Sequence, residues 1–230
     1  MKRLSPFNKK GITLIELLVA LVISAITIAG IYRMFISQGK AYTVQDQVVE
    51  VQQNIRMAME ILSRDLRMTG FDDDNDNSDV LIANPLVTPV QASDITINYE
   101  YYDRTLMTEA QKYQSRLVRY WRDGVTSELK RQLTVDGVPN PEEIILENVD
   151  ALTFTYGVDA NNDGTMDDQN GNGFIDDNDW LTAAAVGVTK VIAVRAMLTA
   201  RSDQTNPDVQ KMVSPRTLVS AVTFRNLCLR

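Results

Sequence analysis

From Gly11 to Tyr32 the chain reads GITLIELLVALVISAITIAGIY, a run whose only charge is Glu16, and no proline interrupts the sequence from there to Thr69. This stretch constrains the fold more than any other. Its first part is apolar all round and meets the roughly 20 residues needed to span a bilayer. Its second part carries Val48, Val51, Ile55, Ala58, Met59, Leu62 and Leu66 at spacings of three and four, the stripe of a helix that buries one face. Only Gly39 weakens the pattern after Tyr32, and Gly70 supplies a C-terminal stop. As one helix from Ile12 to Thr69 the segment is about 87 Å long at ~1.5 Å per residue, so it must project well beyond its own domain.

A chain of 230 residues has room for one domain plus such an appended element, or for two small domains. Downstream, β-branched and aromatic runs at 94–103, 115–124, 126–135, 142–159, 188–202 and 215–227 predict about five or six strands. Asp123-Gly124 between two of them predicts a hairpin. A long helix followed by antiparallel strands is an α+β arrangement.

Charge is unevenly spread. The leader, residues 1–11, holds Lys2, Arg3, Lys9 and Lys10 and no acid; without those four, nineteen bases face thirty acids, a net of −11. Five acids lie in DDDNDNSD, Asp72 to Asp79, and seven between Asp159 and Asp179, so the acidity is local. That pattern fits cation binding or loop solvation and gives no basic footprint for nucleic acid. The chain has one cysteine, Cys228, so no intrachain disulfide forms, and it has no histidine. Imidazole acid/base chemistry, His-based triads and the usual zinc sites are thereby excluded. Neighbouring acids such as Glu142 and Glu143 point to opposite faces of a strand, and no catalytic constellation emerges. The chain reads as a non-enzyme.

The basic leader followed by KKGITLIELLVALVISA resembles the prepilin signal shared by type IV pilins and type II secretion pseudopilins. The resemblance implies that a prepilin peptidase cuts between Gly11 and Ile12 on the cytoplasmic side and that Ile12 becomes an N-methylated terminus. Ile12 departs from the usual phenylalanine, which bears on methylation more than on cleavage. Glu16 becomes the fifth mature residue. An acidic residue at the centre of a membrane helix costs about 2.5–3.5 kcal/mol on insertion scales, and less near the interface. The family implies that Glu16 meets the new N-terminal cation of a neighbouring subunit, a pair tolerable where a lone charge is not.

NIRMAMEILSRDLRMTGF, LENVDALTFTYG, VIAVRAMLTARS and TLVSAVTFRNL resemble the W-type minor pilins and the related J-type minor pseudopilins. The implied fold is the pilin fold: a long helix over residues 12–70, with 12–35 as its transmembrane and assembly half, packed on an antiparallel sheet in a head at 71–230. Arg56, Arg64 and Arg67 equally fit a solvated helix face. Implied partners are prepilin peptidase, other minor and major pilins, the inner-membrane assembly platform and the membrane. The implied location is a single-pass inner-membrane protein with its head outside the cytoplasm, later part of a pilus or pseudopilus.

DANNDGTMDDQNGNGFIDDND holds two copies of a calcium-loop pattern. The first places Asp159, Asn161, Asp163, Gly164, Thr165, Asp167 and Asn170 at positions 1, 3, 5, 6, 7, 9 and 12; the second places Asp168, Asn170, Asn172, Gly173, Phe174, Asp176 and Asp179 there. Alternate side-chain oxygens converge on a hard cation, glycine permits the sharp turn, and position 7 offers its carbonyl. Neither has glutamate at position 12, so both resemble dockerin and thrombospondin-type loops more than EF-hands. Asn170 belongs to both, which leaves one or two Ca2+ sites open; Asp179 favours the second. The same residues are favoured in plain turns. DDDNDNSD lacks the glycine and register and reads as a solvated loop. Three functions follow: a minor pilin that primes assembly or sits at the pilus tip, a minor pseudopilin of a type II secretion system, or a calcium-dependent pilus-tip adhesin.

Overall fold

The computed structural model describes residues 11–72, 80, 82, 85–106, 112–187, 189–202 and 213–228. Helix α1 spans Leu14–Arg67, two residues inside the expected start at Ile12 and two or three inside the expected end at Thr69 or Gly70. Its last turn tightens as the Met68 and Thr69 N–H groups donate to Asp65 and Leu66 carbonyls. Gly70 then stops it at φ +68°, and a Cβ there would lie 2.7 Å from Leu227 Cδ2. The leader residues 1–10 and most of DDDNDNSD, 73–79, lie outside the described residues.

The chain divides into two compact units between Asp46 and Gln47. In the first, every described side chain from Gly11 to Thr43 is exposed. The hydroxyls of Ser24, Thr27 and Thr43 donate to the carbonyls of Ala20, Ile23 and Gly39 one turn back, so their polarity is satisfied within the helix. Among the described residues α1 is the one helix long and apolar enough to cross a membrane.

The second unit contains the stripe of α1 and two antiparallel sheets. The first sheet orders β1 (Asp94–Tyr102), β2 (Tyr113–Arg122), β3 (Leu129–Val135) and β4 (Val138–Pro139), with β5 (Glu143–Leu146) also pairing β3. The second orders β7 (Leu181–Thr182), β6 (Val149–Val158), β8 (Val191–Ala200) and β9 (Arg216–Thr223). Short helices α2 (Ala183–Val186) and α3 (Arg225–Cys228) follow β7 and β9.

Two sheets replace the single sheet expected. The run 142–159 does not continue as one strand: Asn148 turns the chain at φ +56°, after which β5 belongs to one sheet and β6 to the other. The β2–β3 hairpin forms, but through a longer turn than Asp123-Gly124 alone. The Asp123 carboxylate accepts from the Val125 and Thr126 N–H groups, and Ser127 takes φ +56°. Val51, Ile55, Ala58, Met59, Leu62 and Leu66 of α1 join one core with residues of both sheets, among them Ile97, Val118, Phe154, Leu198 and Phe224. Each large side chain so buried contributes about 1.5–3 kcal/mol.

Candidate functional site: the prepilin terminus and the acidic loop

Gly11 and Ile12 precede α1 in an exposed, non-helical segment; Ile12 is 81% exposed, and nothing lies within 4 Å of a Cβ built on Gly11. The bond between them is open to an enzyme. Thr13 and Glu16 form a reciprocal cap. Glu16 Oε2 accepts from the Thr13 N–H at 2.9 Å and from the Thr13 hydroxyl at 3.0 Å, while the Glu16 N–H donates to Thr13 Oγ1 at 3.3 Å. The sequence signature of this capping box, Thr-x-x-Glu before an apolar run, was readable and absent from the expectations above. The box gives the Glu16 carboxylate hydrogen-bond donors within its own chain.

The acidic loop follows β6 and repeats its backbone every nine residues. Position 4 has a left-handed φ in both copies, +60° at Asn162 and +72° at Gly171, and position 6 does too, +80° at Gly164 and +85° at Gly173. The hydrogen bonds repeat as well. Asp159 accepts from the Asp163 and Gly164 N–H groups, as Asp168 does from Gly173 at 2.5 Å. Asn161 and Asn170 each accept from the N–H two residues on, as do Asp163 and Asn172 from Thr165 and Phe174. These donors hold carboxyls below the usual range: the Thr165 hydroxyl does so first for Asp163, the Gly173 N–H for Asp168, and the Asn178 N–H for Asp176.

The copies differ where the sequence differs. Asp179, at position 12 of the second copy, is fully buried and accepts from Gln169 and Asp176 N–H groups at 2.8 and 2.6 Å. The Asn170 and Asn172 amides reach Asp176, closing the loop. In the first copy Asp167 accepts from the Ala160 N–H at 2.6 Å, and the Lys190 ammonium lies 3.5 Å from the buried Asp159 carboxylate. Positive charge therefore already stands beside the first copy. No local signal in the sequence announces Lys190 there, 31 residues from Asp159. Among the described residues no three His, Cys, Asp or Glu side chains are grouped to hold a metal on their own. A cation would need the amide and main-chain oxygens of the second copy as well.

The family model for the type IV pilus-assembly protein W matches residues 117–225, and that for the prokaryotic N-terminal methylation motif matches residues 6–32. The chain is thus similar to the W-type pilus-assembly family over the strands of its head, just under half of its length, and carries a prepilin-type methylation motif. No curated protein matches it. A solved type IV-like pilin from Thermus thermophilus is 13% identical with a TM-score of 0.48, the alignment covering 76% of this chain and 96% of that one. The W-type match lies on strands β2 to β9, and the methylation motif on the leader and first turns of α1.

The head also holds a polar clamp that the sequence did not reveal. Asp65, on the last turn of α1, accepts from the Tyr120 hydroxyl at 2.6 Å and Arg131 Nε at 2.9 Å, and Arg131 also reaches Glu143. Burial first, then the Asp65 carboxylate, push the Tyr120 phenol far above its ordinary value, so it stays a donor. The clamp ties α1 to β2 and β3. Its members come from three separate elements, and nothing in their spacing joins them.

Proposed function

We propose that this chain is a minor pilin that primes pilus assembly or sits at the pilus tip, after a prepilin peptidase has cut between Gly11 and Ile12. The observation that carries the reading is the α1 segment up to Thr43, apolar over most of its length and without a buried side chain. Such a surface needs a bilayer first and neighbouring subunits later. Glu16 then trades its Thr13 partner for the N-terminal cation that cleavage creates on a neighbour. In a strain lacking the chain, surface pili should fall to near zero, return with the wild type, and not return with Glu16→Leu, although that variant is still cleaved. Normal pilus yield in the deletion strain would end the priming role.

The second copy of the acidic loop is also proposed to bind one Ca2+. Asp168, Asn170, Asn172, the Phe174 carbonyl, Asp176 and Asp179 offer the oxygen set a hard cation takes. Support comes from the paired left-handed φ angles and the buried Asp179. Asp159, Asn161, Asp163, Thr165 and Asp167 form the weaker candidate, because Lys190 stands at Asp159. Isothermal titration of the full chain in detergent should give one site at millimolar or tighter affinity, lost in Asp179→Asn. No heat of binding at millimolar calcium would refute it.

A further inference from the structure

The sheet edges of the head are not alike. The outer side of β1 is covered: Val87 N–H donates to the Thr96 carbonyl and Asn98 N–H to the Pro85 carbonyl, while Gly70 and Phe71 bond to Asn98 and Glu100. Strands β4 and β7 have two residues each and β5 has four, too short to offer an edge. Strand β9 has eight residues in unbroken register with β8, from Arg216 opposite Ala200 to Thr223 opposite Ala193. Among the described residues its other edge makes no main-chain hydrogen bond.

Natural edges are guarded by charge, proline or a bulge on the strand itself. Strand β9 carries one charge, Arg216, at its first position; from Thr217 to Thr223 the sequence is TLVSAVT, with no charge, proline or bulge, and Val219 is 51% exposed. Seven consecutive positions of the edge are thus unguarded.

Beside it lies a groove of about 420 Å3 whose opposite wall is α1, closed at one point by Ser63 Oγ and Ser220 Oγ 3.4 Å apart. Arg56, Arg64 and Arg67 line that wall, with Glu60 between them. Arg119, Arg131, Arg195 and Arg201 of the head are each paired with a carboxylate, whereas among the described residues none of the three groove arginines is. An open edge satisfies the N–H and C=O groups of an extended peptide, and guanidinium groups beside it take carboxylates as charge-assisted partners. We propose that β9 receives an added strand from an acidic, extended segment of another protein chain, with its carboxylates held by Arg56, Arg64 and Arg67. The surface lies wholly within the head and depends neither on calcium nor on Glu16.

The test uses the full chain in detergent micelles and three labelled octapeptides. One alternates valine or threonine with aspartate or glutamate; one has lysine in place of the acids; one keeps the acids but has proline at its centre. The acidic peptide should bind and slow amide exchange within 217–223, and the other two should bind at least tenfold more weakly. Arg56→Glu, Arg64→Glu and Arg67→Glu combined should weaken the acidic peptide at least tenfold; should that variant fail to fold, Arg64→Glu alone should weaken it about threefold. Failure of the acidic peptide to bind, equal binding by the proline peptide, or exchange slowed only outside β9 overturns the proposal. So does a single-stranded oligonucleotide that slows exchange in 217–223 as strongly as the peptide, since the groove would then be a nucleic-acid site.

Discussion

Residues 14–43 and the head beginning at Gln47 draw on one continuous helix, yet no side chain of the first is buried while Val51, Ile55, Ala58, Met59, Leu62 and Leu66 of the second are at most 5% exposed. One helix can therefore carry two kinds of unsatisfied surface. The head supplies its own partner for the stripe; on the proposed function, the apolar segment finds its partners in other molecules. Stability measured on the isolated chain reports the stripe, and assembly reports the apolar segment.

Substitutions should separate the two. Glu16→Leu is expected to have the largest effect: filament incorporation falls at least tenfold by immunogold labelling while the thermal midpoint of the head does not move. A drop in that midpoint would break the separation. Leu62→Ala empties a fully buried site and should cost about 2–5 kcal/mol in denaturant unfolding, with prepilin cleavage unchanged. Asp65→Asn removes the charge that holds Arg131 and Tyr120; about 2–3 kcal/mol is expected, between a hydrogen bond to a charged group and a fully buried pair. Thr13→Ala should cost about 1 kcal/mol, confined to the first turn of α1 and read as lost amide protection there.

Acid gives the smallest effect. Lys130 first, then the Val125 and Thr126 N–H groups, bring the Asp123 carboxyl down to about 2 from its ordinary 3.8. A carboxyl lowered by folding stabilises the fold above its unfolded value and loses that contribution as pH falls through its folded one. The β2–β3 turn should therefore loosen between about pH 4 and pH 2, seen as faster exchange at Val125 and Thr126. A turn unchanged across that window would show that Asp123 does not hold it.

What the sequence made legible was periodic or local. The stripe from Val51 to Leu66 repeats with the helical turn, and Gly70 is a local stop, so the ends of α1 are legible to within three residues. Gly164 and Gly173 mark positions whose φ angles are indeed left-handed. The division of 142–159 between two sheets was not legible, because Asn148 carries no proline or glycine beside it to announce the turn. Nor was the meeting of Asp65, Tyr120 and Arg131, or of Lys190 and Asp159, since each depends on which strands pair. The Thr13–Glu16 cap is legible as Thr-x-x-Glu before an apolar run, whereas the family resemblance points Glu16 only to a partner outside its own chain.

Gly70 fits its place because Leu227 and Pro85 fill the space beside it, and the Asn226 amide donates to the Thr69 carbonyl. The end of the first helix is thus finished by residues that leave the ribosome more than 150 positions later. At roughly 5–20 residues per second, that delay is on the order of ten seconds. Throughout it the stripe from Val51 to Leu66 waits for its sheets. The nascent head is therefore most exposed to misfolding and proteolysis before β9 and α3 arrive to close it.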